Sequence, residues 1–383
     1  MHEEPRENEA FFVVQIRYRV FTFLKKRVKY KQKEEQPMFS KNLKYYRLKN
    51  NLTKRKLSEI SGLTPMAITN YESGARTPDM EIIKKLASAL GCKPTDFLRT
   101  RNSDLKFVHA EFRKNSAFGK ERQDFIRESV EEYFDRFFTV VEFLGGDVIP
   151  DASIYKKIPI TDDFETNAKN LREELGISLS GPIGKITVLL ENKGFLLLEL
   201  DIDDDNFAGM NGSVNNKPYI VINKNMTDQR KRTTIIHELA HLMFVWDKEA
   251  DEKEVEKEAT KIAGAFLIPH DDVIRELGLH RKNISFDMVA TCNEYGISMQ
   301  QLVQRAVQCK VISESVGAGF FKFLNVKGLR KKEFAKFEKE EPQLFKQLVF
   351  RAVTQQEISI QKGAELLNES YKYVEEGCYK IGA

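Results

Sequence analysis

The run Thr233-Thr234-Ile235-Ile236-His237-Glu238-Leu239-Ala240-His241 sets two imidazoles four residues apart with a carboxylate between them. Residues four apart share a helix face, so His237 and His241 can hold one metal ion. Glu238 lies beside that face, within reach of a metal-bound water. Zinc would lower the pKa of that water towards about 7, and Glu238 would take its proton as it attacks a peptide carbonyl. This His-Glu-x-x-His spacing is that of a zinc-binding helix in a metallopeptidase. The flanking Ile235, Ile236, Leu239, Ala240, Leu242, Met243 and Phe244 describe a buried helix. Imidazoles and a carboxylate are costly there without a metal or hydrogen-bonding partners. The competing reading, two histidines satisfied within a core, needs such partners for each ring.

A site of this kind requires a third protein ligand. The acidic stretch Asp251 to Glu258 leads into Ala259-Thr260-Lys261-Ile262-Ala263-Gly264-Ala265-Phe266-Leu267-Ile268-Pro269, a second helix with Ala259, Ile262, Ala263 and Phe266 on one face. Glu256 falls at the edge of that face, one turn before Ala259, and is the first candidate. Glu258 approaches from the other edge and is the second; the remaining acids read as a solvated face. Two imidazoles and a carboxylate favour zinc over manganese and leave a position open for water.

The surroundings carry a family resemblance. Phe207-Ala208-Gly209-Met210-Asn211-Gly212, Lys217-Pro218-Tyr219-Ile220-Val221-Ile222-Asn223 and Arg230-Lys231-Arg232 precede the zinc helix, and the Glu-rich entry to Ala265-Phe266-Leu267-Ile268-Pro269 follows it. Together they resemble the ImmA/IrrE family of bacterial metallopeptidases. That family's second helix usually reads Glu-x-x-Ala-Asn, and Glu256-Lys257-Glu258-Ala259-Thr260 matches with Thr for Asn, which supports Glu256. Thr233-Thr234-Ile235-Ile236 stands for the usual Phe-Thr-Leu-Ala, and Ala240 for a common Gly; both departures leave the ligands intact. The resemblance implies an α+β zincin-like domain in which His237, His241 and Glu256 hold zinc, Glu238 is the general base and a specific protein is cut.

A second chemistry lies upstream. Between Met38 and Leu98 the apolar spacing of Leu43 to Leu48, Leu57 to Ile60, Met66 to Ile68 and Ile82 to Ala87 reads as five short helices. Thr53 caps one start, Gly62 closes that helix, Thr64-Pro65 opens the next and Gly74 ends it. The turn Gly62-Leu63-Thr64 between two helices is a helix-turn-helix arrangement. Ser61-Gly62-Leu63-Thr64, Ile68, Tyr71-Glu72-Ser73-Gly74, Arg76-Thr77-Pro78 and Leu86-Ala87-Ser88-Ala89-Leu90-Gly91 resemble the XRE-type, lambda-repressor-like DNA-binding domain in register. That register implies an ion pair of Arg47 with Glu72. Pro65, Met66, Thr69 and Asn70 would face the major groove, with Asn70 reading adenine and Met66 touching a thymine methyl. Lys54, Arg55 and Arg76 are placed for phosphates, the competing reading being an ordinary solvated basic face. One head reads a half-site, so a homodimer on a roughly palindromic double-stranded operator is expected.

A chain of 383 residues, 41% hydrophobic and 31% charged, is long enough for two or three domains. The net charge of +4 is mild. Cys92, Cys292, Cys309 and Cys378 show no C-x-x-C spacing and read as isolated thiols in a reducing cytosol. No long uncharged apolar run exists, so no membrane span is expected. Residues 1–37 form a basic extension, read as poorly ordered or as the product of an upstream start, with a nucleic-acid-binding arm or a membrane-surface segment as the alternatives. Residues 99–160 hold a linker, with a family-like Phe112-Arg113, and a long helix from about Gln123 to Leu144 whose stripe Phe125, Val130, Tyr133, Phe134, Phe137 and Val141 reads as core.

The metallopeptidase-like domain is expected over 161–313, with helices around Asp163 to Leu175 and Ile183 to Asn192, a strand at Phe195 to Leu200 and a hairpin at Ser213 to Asn223 turning at Asn215-Asn216-Lys217-Pro218. Val214 to Asn223 is the expected sheet edge for an extended substrate. Asp201, Asp203, Asp204 and Asp205 lack the spacing and Gly of a calcium loop and read as a solvated strand end. His270 and His280 are candidate transition-state donors, with surface or core roles the plainer reading. Two helices around Tyr295-Gly296-Ile297-Ser298-Met299 resemble the family's tail, Ser298 capping the second. Residues 314–383 read as a helical C-terminal region to which no chemistry is assigned; it would close the peptidase groove or bind a partner.

These readings converge on a multidomain chain: an all-α helix-turn-helix head, an α+β zincin-like domain and a helical C-terminal region. The expected function is that of a cytoplasmic bacterial regulator, of prophage or mobile-element type, with zinc endopeptidase activity on a repressor or antitoxin. The alternative is a DNA-binding repressor or antitoxin whose metal domain senses or stabilises and cuts nothing.

Overall fold

The computed structural model describes residues 39–99, 101–102, 104–109, 119–152, 155, 157–247 and 249–380; the basic extension, Met38 and Phe112-Arg113 lie outside them. The chain divides into two compact units, Met1–Asn102 and Ser103–Ala383.

The first unit holds helices α1 (Phe39–Lys49), α2 (Lys54–Ser61), α3 (Pro65–Glu72), α4 (Met80–Leu90) and α5 (Pro94–Phe97). Each boundary has a side-chain cause. Thr53 Oγ1 accepts from Lys56 N, Gly62 turns left-handed at φ 70°, and Thr64 Oγ1 accepts from Ala67 N ahead of Pro65. Leu43, Leu57, Ile68, Leu86 and Phe97 are fully buried between these helices.

The second unit follows in the order β1 (Phe107–His109), α6 (Lys120–Phe143), β2 (Ile158–Pro159), α7 (Phe164–Glu174), α8 (Ile186–Asn192), β3 (Leu196–Leu200), β4 (Gly209–Val214) and β5 (Lys217–Asn223). Then come α9 (Asp228–Met243), β6 (Phe244–Val245), α10 (Glu252–Leu267), α11 (His270–Leu277), α12 (Met288–Tyr295), α13 (Met299–Gln308), α14 (Glu314–Val326), α15 (Leu344–Thr354), α16 (Ile360–Leu367) and α17 (Tyr371–Tyr379). Its main sheet has the order β1-β4-β5-β3, with β3 parallel to β5 and the other pairs antiparallel. The β4–β5 turn is two residues, Asn215 and Asn216, at φ 49° and 62°, so Pro218 lies inside β5 rather than in the turn.

The sheet order overturns the expected substrate edge. β5 runs between β4 and β3, so Lys217 to Asn223 is internal and cannot receive an added strand. Hydrophobic alternation marks a strand but does not say how many neighbours it has.

Alternation along β3 and β5 feeds two cores. Leu197, Ile220 and Ile222 join Ile235, Ile236, Leu239, Ile262 and Phe266 on one face. Leu196, Leu198, Tyr219 and Val221 join α6 and the C-terminal helices on the other, through Ile126, Val130, Phe134, Phe137, Leu348 and Val349. The apolar stripe of α6 is therefore core, and the helix covers the sheet's second face instead of serving as a connection. The zinc-motif helix α9 lies against β4 and β5. Gly209 permits that approach, since a Cβ there would meet Thr234 Cγ2 and Val221 O at 2.8 Å.

Candidate metal centre and DNA-reading head

α9 begins where Thr227 caps it by accepting from Arg230 N, and it runs buried through Ile235, Ile236, Leu239 and Ala240. Its partly buried edge carries His237 and His241, one turn apart. α10 crosses beside it and brings Glu256 to both rings. His237 Nε2 is 3.1 Å from Glu256 Oε2, His241 Nε2 is 3.3 Å from Glu256 Oε1, and the two Nε2 atoms are 3.2 Å apart.

Those separations test the fit to a metal. Tetrahedral bonds of about 2.0–2.1 Å place ligand atoms about 3.3 Å from one another. The two imidazole Nε2 atoms meet that requirement, each has a different Glu256 oxygen at a similar distance, and among the described residues the three side chains are the one group of metal-ligating residues close enough to share an ion. Partial burial opposes ionisation of Glu256, but hydrogen bonds from His237 and His241 outweigh it and hold the carboxyl well below the usual range. Glu256 is thus ionised, as a ligand must be.

Glu238 follows His237 on α9 and is 8% exposed. Its Oε2 accepts from Asn211 Nδ2 on β4 at 2.8 Å. Thr260, one turn beyond Glu256 on α10, donates to the Glu256 carbonyl at 2.8 Å and lies 3.2 Å from His237 Nδ1. Trp246, the single tryptophan, packs its ring 5.5 Å from that of His241 and donates to the Ala240 carbonyl. Sequence reasoning assigned no role to Asn211, Thr260 or Trp246. Thr260 had a signal, its i+4 spacing from Glu256; Asn211 had none, because its partner is on another element.

The other candidates stand apart. Glu258 pairs with Lys261 at 3.2 Å and does not join the ligand group. His270 pairs with Asp271 and is half exposed, His280 is exposed, and neither belongs to the ligand group. Asp201 accepts from Asn225, Asp204 from Asn206, and Asp205 pairs with Lys331, so the aspartates finish turns at the strand end. Burial pushes the Cys292 thiol up to about 12 and that of Cys309 to about 11, far from reactive thiolates.

In the head, Arg47 pairs with Glu72 through Nε and through Nη2 at 3.1 Å, both side chains 4% exposed. The pair locks α1 to the end of α3. Met66 is 68% exposed, Pro65 and Thr69 are exposed and Asn70 is partly so, all on α3. Thr69 donates its hydroxyl proton to the Pro65 carbonyl, leaving its oxygen as an acceptor. Arg76 is exposed, Arg55 reaches Glu59 at 3.5 Å, and Lys54 stands 3.6 Å from Glu72. Charge is far more concentrated than the whole-chain balance implies: residues 39–102 hold 13 Lys and Arg against 5 Asp and Glu. Such a field attracts the phosphate backbone.

Comparison with known families agrees with both halves. Residues 43–97 match the profile of the helix-turn-helix family, and residues 190–307 match that of a peptidase family described as the IrrE N-terminal-like domain. The chain joins a helix-turn-helix domain to an IrrE N-terminal-like domain. A curated relative, the uncharacterized HTH-type transcriptional regulator YqaE of Bacillus subtilis (strain 168), is 34% identical over 77 residues, which is 20% of this chain. The match spans 66% of that regulator's length. The IrrE N-terminal-like region contains β3 to α13 almost entire, with all three candidate ligands, Glu238 and Asn211. Among the described residues no helix is long and apolar enough to cross a membrane.

Proposed function

We propose that this chain is a DNA-binding transcriptional regulator that also hydrolyses a peptide bond in a specific protein, such as a repressor or an antitoxin. The observation that carries this reading is the convergence of His237, His241 and Glu256, whose ligating groups approach one another at 3.1–3.3 Å, with Glu238 next to His237 on the same helix. Zinc held there would supply Lewis-acid polarisation and an acidified water. The chain's own part is to hold the ligand atoms in place, to keep Glu238 beside them through Asn211, and to accept at Glu238 Oε1 or Oε2 the proton that hydrolysis releases. The basic head would place the molecule on its operator, as a homodimer in the cytoplasm, where its protein substrate also sits.

Elemental mass spectrometry of protein purified without chelator, paired with Glu238→Gln, tests the reading. About one zinc per chain, lost in His237→Ala, is expected. Glu238→Gln should retain zinc and operator binding and abolish cleavage-dependent regulation. Regulation that survives Glu238→Gln would sink the peptidase role and leave a DNA-binding repressor with a structural or sensory metal domain.

A further inference from the structure

The last three helices repeat, cap for cap, the backbone of the DNA-reading head. In the head α1 is followed by Asn51 at φ 54°, by one further residue, by the Thr53 cap accepting from Lys56 N, and by the 8-residue α2. Gly62 at φ 70°, one further residue and the Thr64 cap then open the 8-residue α3. At the C-terminal end α15 is followed by Gln356 at φ 59°, by two residues where the head has one, by the Ser359 cap accepting from Lys362 N, and by the 8-residue α16. Asn368 at φ 54°, one further residue and the Ser370 cap, accepting from Tyr373 N, then open the 9-residue α17.

The reversals share their hydrogen bonds as well. Leu52 N donates to Arg47 O as Glu357 N does to Ala352 O, and Leu63 N donates to Ser58 O as Glu369 N does to Ala364 O. Corresponding positions are buried: Leu43 and Leu348, Leu48 and Val353, Ser58 and Ala364, Ile68 and Val374. Each of α15, α16 and α17 packs on the other two. A left-handed residue, one spacer and a capped helix fix the angle between α16 and α17 as they do between α2 and α3, which makes α15–α17 a helix-turn-helix.

Its chemistry differs from that of the head. Residues 344–380 hold 5 Lys and Arg against 5 Asp and Glu, and Glu375 and Glu376 occupy the positions of Thr69 and Asn70. Lys372 stands at the position of Met66, but Glu376 draws it to 4.0 Å and pairs with Lys380 at 2.7 Å, so the unit offers little of the free positive charge that neutralising phosphates requires and leaves Glu375 as an exposed carboxylate. Tyr371, 48% exposed, and Tyr379, 57% exposed, stand one turn before and one turn after Glu375 and share its face of α17. Tyrosines give large, rigid, amphipathic contacts and are enriched at protein interfaces.

We propose that α15–α17 are a second helix-turn-helix unit that docks a protein instead of DNA. Its partner presents a basic surface of the helix-turn-helix type, complementary to Glu375 and to the tyrosines. Resting on the function proposed above, this unit recruits the repressor substrate to the metal centre.

The test uses the full chain carrying Glu238→Gln, with either Glu375→Lys or the pair Tyr371→Ala and Tyr379→Ala. The probes are purified basic helix-turn-helix proteins of the source organism, taken one at a time, and a random DNA duplex. These side chains are outside both the head and the metal centre, and an unchanged melting midpoint confirms that each variant folds. At least one protein probe should bind, both variants should weaken it about tenfold or more, and duplex affinity should not fall. Absence of any bound probe, or binding indifferent to both variants, overturns the proposal. Loss of duplex affinity in the tyrosine variant also overturns it, in favour of a second DNA-contacting face. A probe that docks through α17 but is not cut when Glu238 is restored keeps the docking site and removes the peptidase reading. One cut equally well by the tyrosine variant does the reverse.

Discussion

Thr260 Oγ1 lies 3.2 Å from His237 Nδ1 while giving its own proton to the Glu256 carbonyl at 2.8 Å. A hydroxyl has one proton, so the imidazole must be the donor in the first contact. Nδ1 is therefore fixed as a donor, and Nε2, which faces Glu256 and His241, is the nitrogen left to exchange its hydrogen bond with Glu256 for a metal ion. Replacing Thr260 by Val keeps the shape and removes the acceptor. Zinc affinity, measured by competition with a chromogenic chelator, should fall about 10–100-fold in Thr260→Val. Thr260→Asn, which restores an acceptor of the kind the family resemblance places there, should recover most of it. Equal affinity in wild type and Thr260→Val would show that the hydroxyl does not orient the ring.

Asn211 does for the general base what Thr260 does for the ligand. Its amide holds Glu238 Oε2 at 2.8 Å, and the carboxylate is buried enough that this partner is not replaced freely by solvent. A hydrogen bond to a charged group contributes about 1.5–3 kcal/mol, so Asn211→Ala should lower kcat on the cleaved substrate by about 10–100-fold. KM and zinc content should be unchanged, because neither ligand geometry nor the substrate contacts are altered. A rise in KM at constant kcat would instead place Asn211 on the substrate.

How much of this was legible in the sequence depends on how far each contact reaches along the chain. His237, Glu238 and His241 are local, set by helical spacing, and Glu256 needed only that a second amphipathic helix follow closely. The caps Thr53, Thr64 and Ser298 stood at their helix starts, each signalled by residue type and its distance from the first apolar position. Asn211 meets Glu238 across 27 residues and two elements, which no periodicity encodes. β5 was misread as an edge because strand neighbours are a property of the sheet. The repeat of the head at α15–α17 was hidden because its alignment rests on left-handed residues that are Gly62 in one copy and Asn368 in the other, and on buried Ser58 against Ala364.

Arg232 and Glu340 form an ion pair at 2.7 Å with side chains 1% and 2% exposed, tying the segment before α15 to the N-terminal half of α9. Arg232 also donates to the Gly184 and Ile183 carbonyls and lies 4.6 Å from the Phe337 ring, while Glu340 Oε1 accepts from Thr187 N. Burial draws the Arg232 pKa down, and Glu340 works against that. Removing one partner strands the other charge in the core. Glu340→Ala should therefore cost about 3–5 kcal/mol of stability in urea denaturation of the second unit. Arg232→Met combined with Glu340→Leu should recover a large part of it. A loss below about 1 kcal/mol in Glu340→Ala would mean that water reaches the guanidinium once the carboxylate is gone.

The head offers a prediction with two separable signatures. Asn70 sits partly exposed on α3 near the 68%-exposed Met66, as the helix meant for the major groove requires. A bidentate amide–adenine contact discriminates bases by about 1–3 kcal/mol, so Asn70→Ala should weaken operator binding by that amount and leave random DNA untouched. Arg55 and Arg76 act on phosphate in this reading. Each change to Ala should weaken both DNAs alike and flatten the slope of log affinity against log salt by about 1. Lys54 stands 3.6 Å from Glu72, whose carboxylate Arg47 already engages, so part of its charge is spent within the fold and Lys54→Ala should flatten the slope less than Arg55→Ala. Fluorescence anisotropy on operator and random duplexes across a salt series reads all four variants. If Asn70→Ala loses affinity equally on both DNAs, the residue holds the backbone and another side chain of α3 reads the sequence.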